Sequence, residues 1–107
     1  MGERFLRLIV MFDLPMQTSR EKRDYRKFVK YLKNEGFLMM QCSVYSRIVM
    51  NRGVLKHHTL KLKQNLPSNG KVQTLVVTEK QYTNMEYLVG EPTLDEEYRT
   101  TDRVLEL

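Results

Sequence analysis

Asp13 is the only acid in residues 4–20, and it ends the apolar run LRLIVMFDLP at 6–15. A carboxylate at a strand end, beside the start of a helix, can hold a divalent cation against a phosphodiester. Mg²⁺ takes one or two carboxylates together with waters and substrate phosphate. Asp13 alone is therefore half a catalytic metal site, and a two-fold dimer would bring the other half. The competing reading is structural. Asp-Leu-Pro opens turns well, so Asp13 could close its strand through an Asx-type turn. The residues by themselves favour the turn.

A second set could bind rather than react. Arg20, Arg23, Lys27 and Lys30 recur at spacings of three and four, so a helix would place them in one continuous stripe. Arg26 and Lys33 widen it, Thr18 adds a hydroxyl at its start, and Asp24 and Glu35 lie off it. Such a stripe suits phosphates, with binding that weakens steeply as salt rises. The alternative is an ordinary solvated helix face.

The remaining reactive types are less suggestive. His57 and His58 are adjacent and point in different directions on a helix. No Cys or carboxylate sits at ligand spacing from them, which argues against zinc. His58 reads as a partly buried packing residue. Cys42 lacks an obvious base, and as the single cysteine it excludes an internal disulfide and fits a reducing, cytoplasmic setting. Ser43, Tyr45 and Ser46 could touch phosphate or metal-bound water, or simply pair across strands. The chain has no Walker A, GxGxxG or HExxH motif, and no RNP-type aromatic strand.

These residues need elements to position them. Residues 5–12 read as a buried strand ended by Pro15. Thr18 to Glu21 fits a capping box opening a helix that runs to about Glu35. Tyr25, Phe28, Val29 and Leu32 form its core face, and Gly36 suits its end. Two strands follow at 37–41 and 44–50, with a tight reversal or bulge at Cys42-Ser43. Asn51 caps a second helix over 52–66 whose core face is Leu55, Thr59, Leu62 and Leu66. PSNG at 67–70 is a turn, 71–79 a strand, 86–89 a further short strand after a helical turn, and DRVLEL at 102–107 a last one. The order β-α-β-β-α-β with C-terminal strands is α+β and ferredoxin-like. It leaves one apolar sheet face uncovered, which predicts a homodimer or an added strand.

Charge divides the chain. Net charge is +5 from 18 basic and 13 acidic residues. Residues 91–107 hold six acids and two bases, a net of −4, so residues 1–90 carry +9. This suggests a ferredoxin-like domain over 1–90 and an acidic extension over 91–107. A basic body points to a polyanionic partner, although solubility alone also accounts for it. MGERFLRLIV places acid and base ahead of too short an apolar run for a signal peptide, and no stretch nears a membrane span.

LIVMFDLP with its basic helix, then GFLMMQCSVYSRIV, then VQTLVVTEKQY, resemble the CRISPR-associated protein two family over about residues 6–90. The resemblance is strongest to the branch accompanying single-protein RNA-guided effectors. It implies a ferredoxin-like homodimer, flanked by two dimers of the CRISPR integrase, that captures short DNA duplexes for insertion as spacers. The duplex would lie along the basic surface, here Thr18, Arg20, Arg23, Arg26, Lys27 and Lys30. The final strands would join the sister protomer and the integrase, giving the acidic 91–107 a docking role. The resemblance also implies, for some members, a Mg²⁺-dependent endonuclease on RNA or duplex DNA with Asp13 as metal ligand and catalytic acid group. That acid would be dispensable for integration. Many relatives have a tyrosine before the Asp, where this chain has Phe12.

Overall fold

The computed structural model describes residues 5–93. Four strands and three helices follow in the order β1 (Leu6–Asp13), α1 (Ser19–Asn34), β2 (Leu38–Gln41), β3 (Val44–Val49), α2 (Arg52–Lys63), β4 (Lys71–Thr78) and α3 (Glu79–Thr83). The strands form one sheet in the order β2-β3-β1-β4, with every neighbouring pair antiparallel. This is the ferredoxin-like α+β plan.

β1 is central because its first face is wholly apolar. Leu6, Leu8, Val10 and Phe12 alternate onto it and join Tyr45 and Val49 of β3. Phe28 and Leu32 of α1, Leu62 of α2 and Phe37 close over them. Burying each such side chain contributes roughly 1.5–3 kcal/mol. Phe12 anchors the aromatic part, with ring centroids 5.1 Å from Phe28, 5.8 Å from Tyr25 and 5.9 Å from Tyr45. The phenylalanine that stands in place of a hydroxyl is thus a core residue.

Local signals act where expected. Gly36 ends the α1 region at φ 84°. Ser43 adopts φ 64° in the β2–β3 reversal, beside a register shift between Met39 and Gln41. Asn51 caps α2 by accepting from the Val54 N–H at 2.8 Å.

Three expectations need correction. First, α2 stops at Lys63 rather than 66, and Leu66 is exposed instead of packed. Pro67 disfavours helical backbone at the residue before it, so the core periodicity ends a turn early. Second, residues 86–89 form no strand. The chain bends through 88–90, where Gly90 takes φ 88°. It then reaches β2, where the Thr93 hydroxyl donates to the Met39 carbonyl at 2.8 Å. Third, the second sheet face is only partly open. Arg7, Ile9 and Ser46 alternate onto it and are buried. α3 supplies cover there, because Glu79 and Tyr82 pack on Arg7. β4 stays more open: Leu75 and Val76 are 50% and 40% exposed, and β1 is its one strand partner among the described residues. The strand expected at 102–107 lies outside the described residues.

Candidate nucleic-acid interface

The stripe begins at a tightly built helix start. The Thr18 hydroxyl accepts from the Glu21 N–H at 3.1 Å. The Glu21 carboxylate accepts from the Thr18 and Gln17 N–H groups, both at 2.9 Å. The hydrogen bond from the Thr18 backbone leads in holding the Glu21 carboxyl below its ordinary pKa, so it stays ionised as a cap. The cap uses the acceptor side of the Thr18 hydroxyl and leaves its proton to donate outward.

From that start, Phe28 and Leu32 turn into the core while Arg20, Arg23, Arg26, Lys27, Lys30 and Lys33 are all exposed. None of these six bases forms an ion pair among the described residues. α1 carries seven bases and two acids, a net of +5, and α2 carries four bases and no acid, a net of +4. Both helices cover the same sheet face. Their outer surface is therefore a continuous source of positive potential, suited to a polyanion backbone.

One α2 base is already committed. Lys61 Nζ donates to Glu35 at 2.9 Å, at the C-terminal end of α1. His58 is buried beside it, with Nδ1 3.8 Å from the other Glu35 oxygen. Burial pushes the His58 pKa down, the charges of Arg47, His57 and Lys61 push it further, and Glu35 opposes them. His58 therefore packs as the neutral imidazole, edge-on to Phe37 at 6.5 Å.

Asp13 is placed differently. It faces Lys71 in the β1–β4 register and alternates onto the side opposite the helix layer. Its carboxylate is exposed and makes no hydrogen bond or ion pair among the described residues. The expected Asx closure is absent, because the residue two further on is Pro15, which has no N–H to donate. The backbone there is nevertheless fixed. A Cβ on Gly70, which sits at φ 95°, would come within 2.7 Å of the Asp13 carbonyl oxygen. The chain thus presents one rigidly based carboxylate with no partner among the described residues. That fits half of a Mg²⁺ ligand set, and no group of three or more metal-ligating side chains occurs among the described residues.

Of the other candidates, Cys42 is exposed, the Ser43 hydroxyl shares a hydrogen bond with Tyr25 at 3.2 Å, and Tyr45 and Ser46 are buried in the sheet. They serve packing. Sequence reasoning passed over Arg7, Glu79 and Tyr82. Arg7 pairs with both Glu79 oxygens while its guanidinium carbon lies 3.9 Å from the Tyr82 ring centroid. The available signal was an arginine inside a buried apolar run, which demands a partner.

A family model described as CRISPR associated protein Cas2 matches residues 6–85. The chain belongs to the Cas2 family. Among curated relatives, the CRISPR-associated endoribonuclease Cas2 of Ligilactobacillus salivarius is 48% identical over 79% of this chain and 84% of its own length. The protein of the same name from Streptococcus mutans serotype c (strain UA159) is 46% identical over 80% of this chain and 79% of its own. That of Treponema denticola is 43% identical over 94% and 97%. A solved Cas2 crystal structure shares the fold at TM-score 0.51 and 19% identity, covering 84% of this chain and 92% of that one. As a Cas2-family protein, the chain belongs to the CRISPR-associated machinery. No helix among the described residues is long and apolar enough to cross a membrane.

Proposed function

We propose that this Cas2-family chain is the duplex-DNA-holding subunit of a CRISPR spacer-acquisition complex, acting as a homodimer with the integrase. The observation that supports this most is the α1 stripe: Arg20, Arg23, Lys27 and Lys30 are exposed and unpaired among the described residues. Uncommitted cations in a row release counterions when they meet a backbone. Arg26, Lys33 and the Thr18 hydroxyl extend the same surface. The partly open second face and β4 are the surfaces for a second copy. The acidic 91–107 would dock on the integrase, away from DNA.

A second reading is a Mg²⁺-dependent endonuclease with Asp13 from each protomer as ligands. Two observations favour it: the Asp13 carboxylate, unpaired among the described residues, and the name endoribonuclease borne by the relatives. In that case Mg²⁺ would polarise the phosphate and lower the pKa of a bound water. The chain's own part would be to fix Asp13 on the rigid β1–Gly70 junction.

Spacer acquisition in cells separates the two. Asp13→Ala should leave acquisition intact, and Arg20→Glu/Arg23→Glu/Lys27→Glu should abolish it. Acquisition that survives the triple change and fails with Asp13→Ala would reverse the assignment.

A further inference from the structure

The end of the sheet far from Arg7 carries a second pair of opposite charges. Asp13 ends β1, Lys71 opens β4, and the antiparallel register sets them directly opposite each other. Residues opposed in this way share one face, with Cβ atoms about 4.5–5.5 Å apart. The two side chains therefore leave the sheet side by side. The next pairs along that face are Met11 with Gln73 and Ile9 with Leu75, all uncharged. Arg7 follows about 20 Å away, already held by Glu79. Lys71 is the one charged residue of β4. Gly70 fixes the spacing. At φ 95°, a Cβ there would come within 2.7 Å of both the Asp13 carbonyl oxygen and Leu14 Cδ2. The residue ahead of Lys71 thus lies against the Asp13–Leu14 backbone. Both charged side chains are exposed, and no ion pair joins them among the described residues.

We propose that Lys71 is a rival to any divalent cation at Asp13: its ammonium competes for the same carboxylate and sets how weakly that carboxylate takes metal. This rests on the second reading above, in which Asp13 ligates Mg²⁺, and adds the residue that tunes it. Lysine suits the part. Its ammonium is a compact charge on a flexible stem, so it can reach an oxygen across the strand pair from a fixed Cα. While charged it has no lone pair to offer a metal. A two-fold axis does not escape it. Register ties each lysine to its own aspartate, so a dimer that gathers two Asp13 carboxylates gathers two ammonium groups with them. That set has no net charge. A unit positive charge about 6 Å from a divalent cation in water weakens its binding by about tenfold before screening.

Full-length, isotope-labelled protein titrated with Mn²⁺ at low ionic strength tests this through paramagnetic broadening of the Leu14, Gly70 and Val72 amide signals. Asp13→Asn should abolish the broadening there. Lys71→Met keeps an unbranched stem and removes the charge, so half-broadening should need about three- to tenfold less Mn²⁺ than in the unsubstituted protein. Lys71→Arg keeps the charge and should behave as the unsubstituted protein does. The gain in Lys71→Met should shrink as NaCl rises, because both side chains are exposed. An unchanged Mn²⁺ requirement in Lys71→Met, with broadening lost in Asp13→Asn, would strike out the lysine and leave the metal reading standing. Broadening that survives Asp13→Asn, or that occurs in no variant, would remove the metal reading and this proposal with it.

Discussion

Arginines on α1 and the arginine in β1 carry the same charge and meet opposite fates. Arg20 and Arg23 stand exposed and unpaired among the described residues, whereas Arg7 is 2% exposed, paired with Glu79 and covered by Tyr82. The first environment leaves each charge fully hydrated, so it costs the fold little and is available to a phosphate. The second removes both charges from water, so the pair holds only as long as each partner remains. Positive charge in this protein is thus divided between a hydrated helix surface and a clasp that ties α3 to β1.

The largest expected effect strikes the clasp. Glu79→Ala leaves the Arg7 guanidinium buried without its counter-charge, at a cost of about 3–5 kcal/mol. Urea denaturation should show a much lower midpoint. Replacing the pair together, Arg7→Met with Glu79→Leu, should recover most of that loss, because two apolar groups need no compensation. A double variant as unstable as Glu79→Ala would mean that the ion pair itself, rather than its orphaned half, sets the stability.

The stripe should behave in the contrary way. Arg20→Glu/Arg23→Glu/Lys27→Glu should change stability by no more than about 0.5 kcal/mol per site. The same change should cut duplex affinity by about 100-fold or more and reduce the slope of log K against log salt by about three. Equal losses in fold and in binding would erase the contrast between the two regions.

This division also explains what could be read from sequence. α1 was legible because its signals are local: Thr18 and Glu21 three apart, core residues at helical spacing, Gly36 at its end. The stripe is the complement of that same periodicity. Arg7 and Glu79 are 72 residues apart, and no local pattern joins them. The strand expected at 86–89 failed for a related reason. Tyr87, Leu88 and Val89 have strand-forming or apolar types, but their path is set by where Gly90 turns and where Thr93 meets Met39. Asp13 was readable as a carboxylate at a strand end. Its Asx turn is excluded because Pro15 lacks the required N–H.

Thr18 caps α1 and stands beside the stripe, so it belongs both to the fold and to the proposed interface. Thr18→Ala removes the acceptor for the Glu21 N–H and should destabilise the protein by about 1 kcal/mol. Thr18→Ser should restore it. The salt slope of binding should be unchanged in both, since a hydroxyl releases no counterion. A lower slope in Thr18→Ala would show that the cap also sets the position of the bases.

The smallest effect concerns the cluster where α1 meets α2. Burial lowers the His58 pKa, and Arg47, His57 and Lys61 lower it further against the opposing Glu35. The folded protein therefore resists protonation that the unfolded chain accepts near its ordinary pKa of about 6.5. The unfolded state binds more protons below that value, so stability should decline as pH falls through it toward the lower folded pKa. Above it the contribution is constant. His58→Phe removes the titrating group beside Phe37 and should flatten this part of the curve in denaturation midpoints followed from neutral pH downward. An unchanged decline in His58→Phe would assign it to the carboxylates instead. Any loss of duplex affinity across that window should follow the loss of folded protein rather than precede it.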